Sequence, residues 1–360
     1  MTGKGSLAAP SRRAVLGSLA AAAGAASMGW GRPAAAAPTH KGVIDLHHHF
    51  WAPEYLKAQD DWEDAHHVPH FPTMQQWSPQ MSLEEMDKGG VQTAVVSLAS
   101  ISQGFWGLDG PSADRVVRAA IDYGAKMVSD HKGRFGLFAP LNMIDVDSSL
   151  KELEYAYDQA HADGIGLQTS YNGKYPGDPA YKPILEELNH RKAVVFLHGP
   201  NAACCSAIQD GPGVYGSVVE VTFDATRAAV SLLTSGSLVR YPDIKWILPY
   251  GGGTLPFDAG RIEAFVNGPL KPGLKAEEIA PHGIFAEFGK LYYDTVNVTN
   301  AASWASLMKL AGPRQTVYGT DFIYFNNDQL LNIDKRVSGK DKEMILSGNA
   351  KRILPRLAKA

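Results

Sequence analysis

The 360 residues are 45% apolar and 20% charged, which provides apolar side chain for a large buried core and too much of it for a disordered chain. The 36 Gly and 22 Pro occur without a repeating period, excluding collagen-like order and pointing to many tight loops. A formal net charge of −3 argues against a phosphate-backbone binder, and the only cysteines, Cys204 and Cys205, are adjacent and poorly placed to bridge one another, so no disulfide framework holds this chain.

Residues 1–37 carry Lys4, Arg12, Arg13 and Arg32 and no acid. Arg12-Arg13 precedes the mildly apolar run Ala14 to Met28, and the segment closes on the small-residue tract Ala34 to Ala37. This is the pattern of a twin-arginine-type export signal, which carries a folded protein and predicts a periplasmic or secreted location. The apolar run is interrupted by Gly17, Ser18, Gly24 and Ser27 and is too short to span a bilayer stably. Without those four cations, 30 basic residues face 37 acidic ones, a net charge of −7 that argues further against a nucleic-acid partner.

From about Lys41 onward, short apolar runs alternate with longer amphipathic stretches, the signature of repeated βα units. The predicted strands are Gly42 to Leu46, Gln92 to Leu98, Arg134 to Ala139, Gly164 to Gln168, Ala193 to Leu197, Ile244 to Leu248, Lys290 to Asp294 and Gln315 to Gly319. Helical periodicity fills Ser112 to His131, with Val116, Val117, Ala120, Ile121 and Met127 on one side, and Ser148 to Ala162, with Leu150, Leu153, Ala156 and Tyr157. Eight strands with interleaved helices and no Gly/Pro-rich linker predict a single (β/α)8 TIM barrel over residues 38–360. Trp51 to Gln80 reads as an insertion after the first strand, over the face where barrels build their active sites. Its His66, His67 and His70 lie among Asp60, Asp61, Glu63 and Asp64 and read as a solvated acidic rim.

In Asp45-Leu46-His47-His48-His49, strand alternation points His47 and His49 to one side and His48 to the other. Two imidazoles so placed suit one metal ion. His198 ends the fifth run and Asp321 follows the eighth, so all four side chains are expected at one rim. Phe50, Trp51, Trp106, Phe322 and Tyr324 also lie on rim segments and are candidates to pack against an aromatic ring. Arg227, in Phe223-Asp224-Ala225-Thr226-Arg227, is a candidate substrate anchor or a partner of Asp224. Gly251-Gly252-Gly253 lacks the Lys-Ser/Thr that follows a phosphate-cradling loop and reads as a close approach of backbone to the site.

These residues resemble the amidohydrolase superfamily, in the branch that contains 2-amino-3-carboxymuconate-semialdehyde decarboxylase and 6-methylsalicylate decarboxylase. The likeness runs through Asp45 to Phe50, Trp77-Ser78-Pro79, Gly133-Arg134-Phe135-Gly136, Gly164 to Tyr171 with Gly177-Asp178-Pro179, and Phe223 to Arg227. It continues through Arg240-Tyr241-Pro242-Asp243, Gly251 to Arg261, Leu291 to Asp294 and Tyr318 to Phe322. The resemblance implies that His47, His49, His198 and Asp321 hold a single divalent ion, Zn2+ with Mn2+ or Co2+ as alternatives, leaving an open position. It implies further that Arg261 reaches the substrate carboxylate of a neighbouring subunit in a homodimer.

One departure stands out: Tyr250 occupies the position before the glycines where relatives carry a histidine. A phenol with a reference pKa near 10 is a poor base for activating water at neutral pH. Non-oxidative decarboxylation of a small hydroxylated aromatic or related unsaturated carboxylic acid does not require hydroxide, only an acid that protonates carbon, for which the analogy offers Asp321. That chemistry is the expected function. A metal-dependent hydrolase of an amide, ester or lactone and a metal-loaded binding protein without turnover are the alternatives.

Overall fold

Seven parallel strands hydrogen-bond in sequence order: β1 (Val43–Phe50), β2 (Val91–Leu98), β3 (Phe135–Pro140), β4 (Gly164–Gln168), β5 (Val194–His198), β6 (Lys245–Leu248) and β7 (Tyr292–Tyr293). The computed structural model describes residues 40–67, 70, 72–99, 105, 107–199, 217–268 and 275–359, all within the compact unit Thr39–Ala360. Residues 1–37, expected from sequence to be an export signal, and Cys204, Cys205 and Trp106 lie outside the described residues. β1, β3 and β5 are buried along their whole length. Such burial on both faces is why near-continuous runs of Val, Ile, Leu and Phe form parallel rather than half-exposed strands.

The eighth predicted run closes the ring without a full ladder. Val317 N donates to Tyr293 O (2.8 Å), Leu46 N to Tyr318 O (2.9 Å), Asp321 N to His47 O (2.7 Å) and His49 N to Phe322 O (3.0 Å), placing 316–322 between β7 and β1. The register of β1 shifts between Asp45 and His48. There the Asp45 carboxylate accepts from Thr320 N (3.1 Å) and Thr320 Oγ1 (2.6 Å), so side-chain bonds replace part of the ladder. The expected (β/α)8 barrel is the fold.

Helices begin where the chain supplies a cap. Ser78, Asp109 and Asp145 accept from the backbone N–H of Met81, Ser112 and Ser148, with Pro79 and Pro111 in the first turns. The helix Gly110–Asp130 buries Ala113, Val117, Ala120, Ile121 and Met127, close to the predicted stripe. Between β1 and β2 the expected loop is largely helical, forming Pro53–Ala65 and Pro72–Gln76 ahead of Pro79–Gly89. Buried Tyr55 and Met74 anchor it, and Tyr55 donates to Ala99 O at 2.5 Å. No described helix is long and apolar enough to cross a membrane.

The barrel closes tightly at Gly319. A Cβ there would lie 2.7 Å from His47 Cβ and 3.2 Å from Asp294 Cβ. Gly319→Ala is expected to cost about 1–3 kcal/mol, as overpacking does. The measure is thermal unfolding beside Gly260→Ala, where an added Cβ meets nothing within 4 Å and stability is expected to hold or rise.

Candidate metal centre

The alternation of β1 sends His47 and His49 into the barrel mouth and His48 and Phe50 toward the surrounding helices. His48 Nε2 meets Ser82 Oγ at 2.9 Å and its Nδ1 meets Asp45 at 3.0 Å, so this imidazole is spent on holding β1 to a helix. His47 and His49 converge instead on Asp321 and His198. The Nε2 atoms of His47 and His49 are 3.2 Å apart, and Asp321 Oδ1 lies 3.2 Å from the first and 2.9 Å from the second. With His198 included, all four ligand atoms lie within 4.8 Å of one another, and all four residues are buried.

Donor atoms held about 2.0–2.2 Å from one cation are themselves roughly 3–3.5 Å apart. The spacing therefore fits a single divalent ion. The outer contacts fit it too. His47 Nδ1 is 2.6 Å from Asp294 Oδ2, and His49 Nδ1 is 3.3 Å from Ser97 O. With those nitrogens donating, each Nε2 presents a lone pair to the centre. Asp294 is itself anchored by Gly251 N (3.3 Å) and Val296 N (3.1 Å). Sequence reasoning missed Asp294 and Ser97 as site residues, although Asp294 closes the seventh predicted run, the position in its own strand that marks His198 in the fifth.

Burial opposes charge on His47, but Asp321 and Asp294 outweigh it and raise its pKa to about 10. Burial pushes His49 down and takes His198 well below the ordinary imidazole value, with the neighbouring imidazoles adding to both shifts. Burial also disfavours an ionised Asp321, yet His47 and His49 hold it below the usual carboxylate range. Neutral imidazole and ionised carboxylate are the forms that bind a cation, so His47 is the candidate ligand that would have to give up a proton.

Tyr250 stands beside His198, its hydroxyl 3.1 Å from His198 Nε2 and its ring centroid 5.5 Å from that of His47. Burial, and then the charges on Asp321 and Asp294, hold the phenol well above its ordinary pKa. A phenol so placed can donate a hydrogen bond and is a poor base for water. Gly253 serves close packing against the helix Glu220–Thr234 rather than the expected approach to the site: a Cβ on it would lie 1.9 Å from Thr222 O.

The remaining candidates divide. Trp51 is buried with its ring centroid 6.2 Å from His49 and 6.3 Å from Tyr324, which is 5.9 Å from His49 in turn, so both aromatics border the donors. Phe50 is not a pocket residue. It shares the outward face with His48 and stacks on Tyr123 at 6.3 Å, inside the core. Phe322 also departs from expectation, stacking on His48 at 4.9 Å because the irregular eighth segment turns its ring to that same outward side. Arg227 is exposed, and Asp224 is engaged by Thr169, Ser170 (3.1 Å) and Tyr175 (2.6 Å) rather than by Arg227. Arg261 is exposed on the helix Leu255–Val266 with its guanidinium 4.8 Å over the Phe265 ring. On the rim, Asp60, Glu63 and His70 bring ligand atoms within 4.8 Å, while His66 stacks on Trp62.

A sequence model of the family described as amidohydrolase matches residues 44–356. The decarboxylase macB of Penicillium terrestre is 34% identical over 333 residues, covering 87% of this chain and 95% of that one. The 6-methylsalicylic acid decarboxylase of Penicillium expansum is 29% identical over 325 residues, covering 87% and 96%. Among solved structures, 2,6-dihydroxybenzoate decarboxylase from Rhizobium superposes with a TM-score of 0.74 at 22% identity, covering 88% of this chain and 99% of that one. Dihydroxybenzoic acid decarboxylase from Polaromonas sp. JS666, with bound manganese and 2-nitroresorcinol, gives 0.73 at 23% identity, covering 89% and 98%. With the family's match running from β1 to the last helical turn and a relative above 30% identity along most of its length, the chain belongs to the amidohydrolase family.

Proposed function

We propose that this protein is a metal-dependent, non-oxidative decarboxylase of a small hydroxylated aromatic acid resembling 6-methylsalicylate. The observation that carries the reading is Tyr250, a phenol and so a poor base for water, beside a donor set for one cation, which speaks against the hydrolase alternative. The named activities of the relatives lean the same way. Zn2+ is the proposed ion, with Mn2+ and Co2+ open to the same ligands.

When bound, a divalent ion supplies charge that draws a carboxylate and an adjacent hydroxyl and stabilises negative charge developing on the ring. Trp51, whose buried indole N–H has no hydrogen-bond partner, and Tyr324 flank the position of that ring. As the carbon–carboxylate bond breaks and CO2 leaves, the same carbon takes a proton. Both histidine contacts of Asp321 fall on Oδ1, so Oδ2 is assigned the relay of that proton, which the ionised carboxylate first takes up from solvent and then passes to the carbon. Arg261 is proposed to serve the site of a second copy in a homodimer, and the Arg12-Arg13 segment to direct export.

The test is CO2 release from metal-loaded protein offered 6-methylsalicylate and a hydroxybenzoate panel in heavy water. CO2 with one deuterium gained on the ring is expected. Acid released from an ester or lactone without CO2 supports the hydrolase, and binding without either product supports a protein without turnover. Tyr250→Phe is expected to keep kcat/KM within about tenfold of the parent, because only one hydrogen bond is lost.

A further inference from the structure

β4 and β5 pair in parallel register with Gln168 opposite His198, so the two side chains emerge at the same height on adjacent strands about 4.8 Å apart. Thr169 N donates to His198 O at 2.9 Å and fixes that alignment. Both residues line a small cavity of about 20 Å³, room for one hydroxyl-sized group, whose walls are otherwise largely apolar, including Leu98, Phe105, Leu141 and Phe196. Two tyrosines that also line it have already spent their hydroxyls: Tyr55 donates to Ala99 O, and Tyr171 donates to Leu141 O while accepting from Gln168 N. Gln168 differs from them. It is buried, and its side-chain oxygen has no hydrogen-bond partner.

A buried amide oxygen without a partner is costly to keep, and in an apolar pocket beside a metal ligand its evident use is to accept a hydrogen bond from whatever fills the pocket. We infer that Gln168 is the residue by which this site reads a ring hydroxyl, accepting its O–H and so selecting hydroxylated aromatic acids over those bearing hydrogen or methyl at that position. This rests on the proposed substrate class and deepens it. A site built to bond a hydroxyl discriminates strongly against the analogue that lacks it, because the protein's own polar group is then left unpaired.

The experiment is calorimetric binding of benzoate and of 2-, 3- and 4-hydroxybenzoate to manganese-loaded protein. At least one hydroxybenzoate is expected to bind the parent about 10-fold or more tighter than benzoate. In Gln168→Met, which keeps side-chain volume and removes the acceptor, that preference is expected to fall to within about twofold, with benzoate affinity, metal content and melting temperature retained. The inference is overturned if no hydroxybenzoate binds the parent tighter than benzoate, a result that needs no variant, or if the preference survives in Gln168→Met. The readout is binding, so the two readings separate. A Gln168-dependent preference without CO2 release would sink the decarboxylase proposal alone, whereas CO2 release without the preference would sink this inference alone.

Discussion

Asp321→Asn is expected to lower CO2 release by about 10³-fold or more, the largest activity loss of any single change at this site. The substitution keeps the shape of the side chain. It removes the negative charge that lies 3.2 Å from His47 and 2.9 Å from His49, and with it the group proposed to return a proton to the ring carbon. Metal content measured on the same preparation divides the two roles. A variant that retains its ion but forms no CO2 isolates the proton transfer, whereas loss of both assigns Asp321 first to holding the ion. Activity within tenfold of the parent would remove Asp321 from the chemistry altogether. The left-handed φ of 60° at Asp321 matters here, since a short polar residue tolerates that conformation and Asn tolerates it as well, so the backbone should not confuse the result.

The convergence of the four candidate ligands could be read from sequence because it depends on two robust regularities. A strand alternates its faces, so a His-x-His pair points one way, and parallel strands in a barrel bring their C-terminal ends to one rim. His47, His49, His198 and Asp321 needed nothing finer. Phe50 and Phe322 lie within a residue of these side chains and failed for different reasons. The first regularity already contains the reason for Phe50, which is two residues from His48 and shares its outward face. For Phe322 the sequence offered no such guide, since 316–322 closes the barrel by isolated bridges and side-chain bonds, and the direction of a side chain there is set by partners far along the chain.

Asp294 and Gln168 were hidden differently. Each is an ordinary residue at a strand end whose meaning comes from register: Asp294 meets a histidine 247 positions away, and Gln168 pairs with His198. Register follows from how buried side chains pack between strands, which local sequence does not state. The rim helices Pro53–Ala65 and Pro72–Gln76 escaped for want of a strong apolar stripe, their order coming from a few anchors such as Tyr55 and Met74.

Asp294→Asn is expected to weaken cation binding by about 10–100-fold although Asp294 is not a ligand. The carboxylate faces two ways, with Oδ2 toward His47 Nδ1 and Oδ1 toward the N–H groups of Gly251 and Val296. An amide cannot serve both sides. With its NH2 toward His47, neutral imidazole must carry its proton on Nε2 and aims N–H at the ion; with its oxygen toward His47, the NH2 confronts two backbone donors. A proton count gives a second measure. His47, raised to about 10 by the carboxylates against the effect of burial, holds a proton at pH 8 in the ion-free protein and releases it on binding. Removing the Asp294 charge lowers that pKa, so the variant should release fewer protons per ion at pH 8, as read by calorimetry in buffers of different ionisation enthalpy. Unchanged affinity together with unchanged proton release would mean that Asp294 neither orients nor charges His47, and the outer half of the centre would need a different explanation.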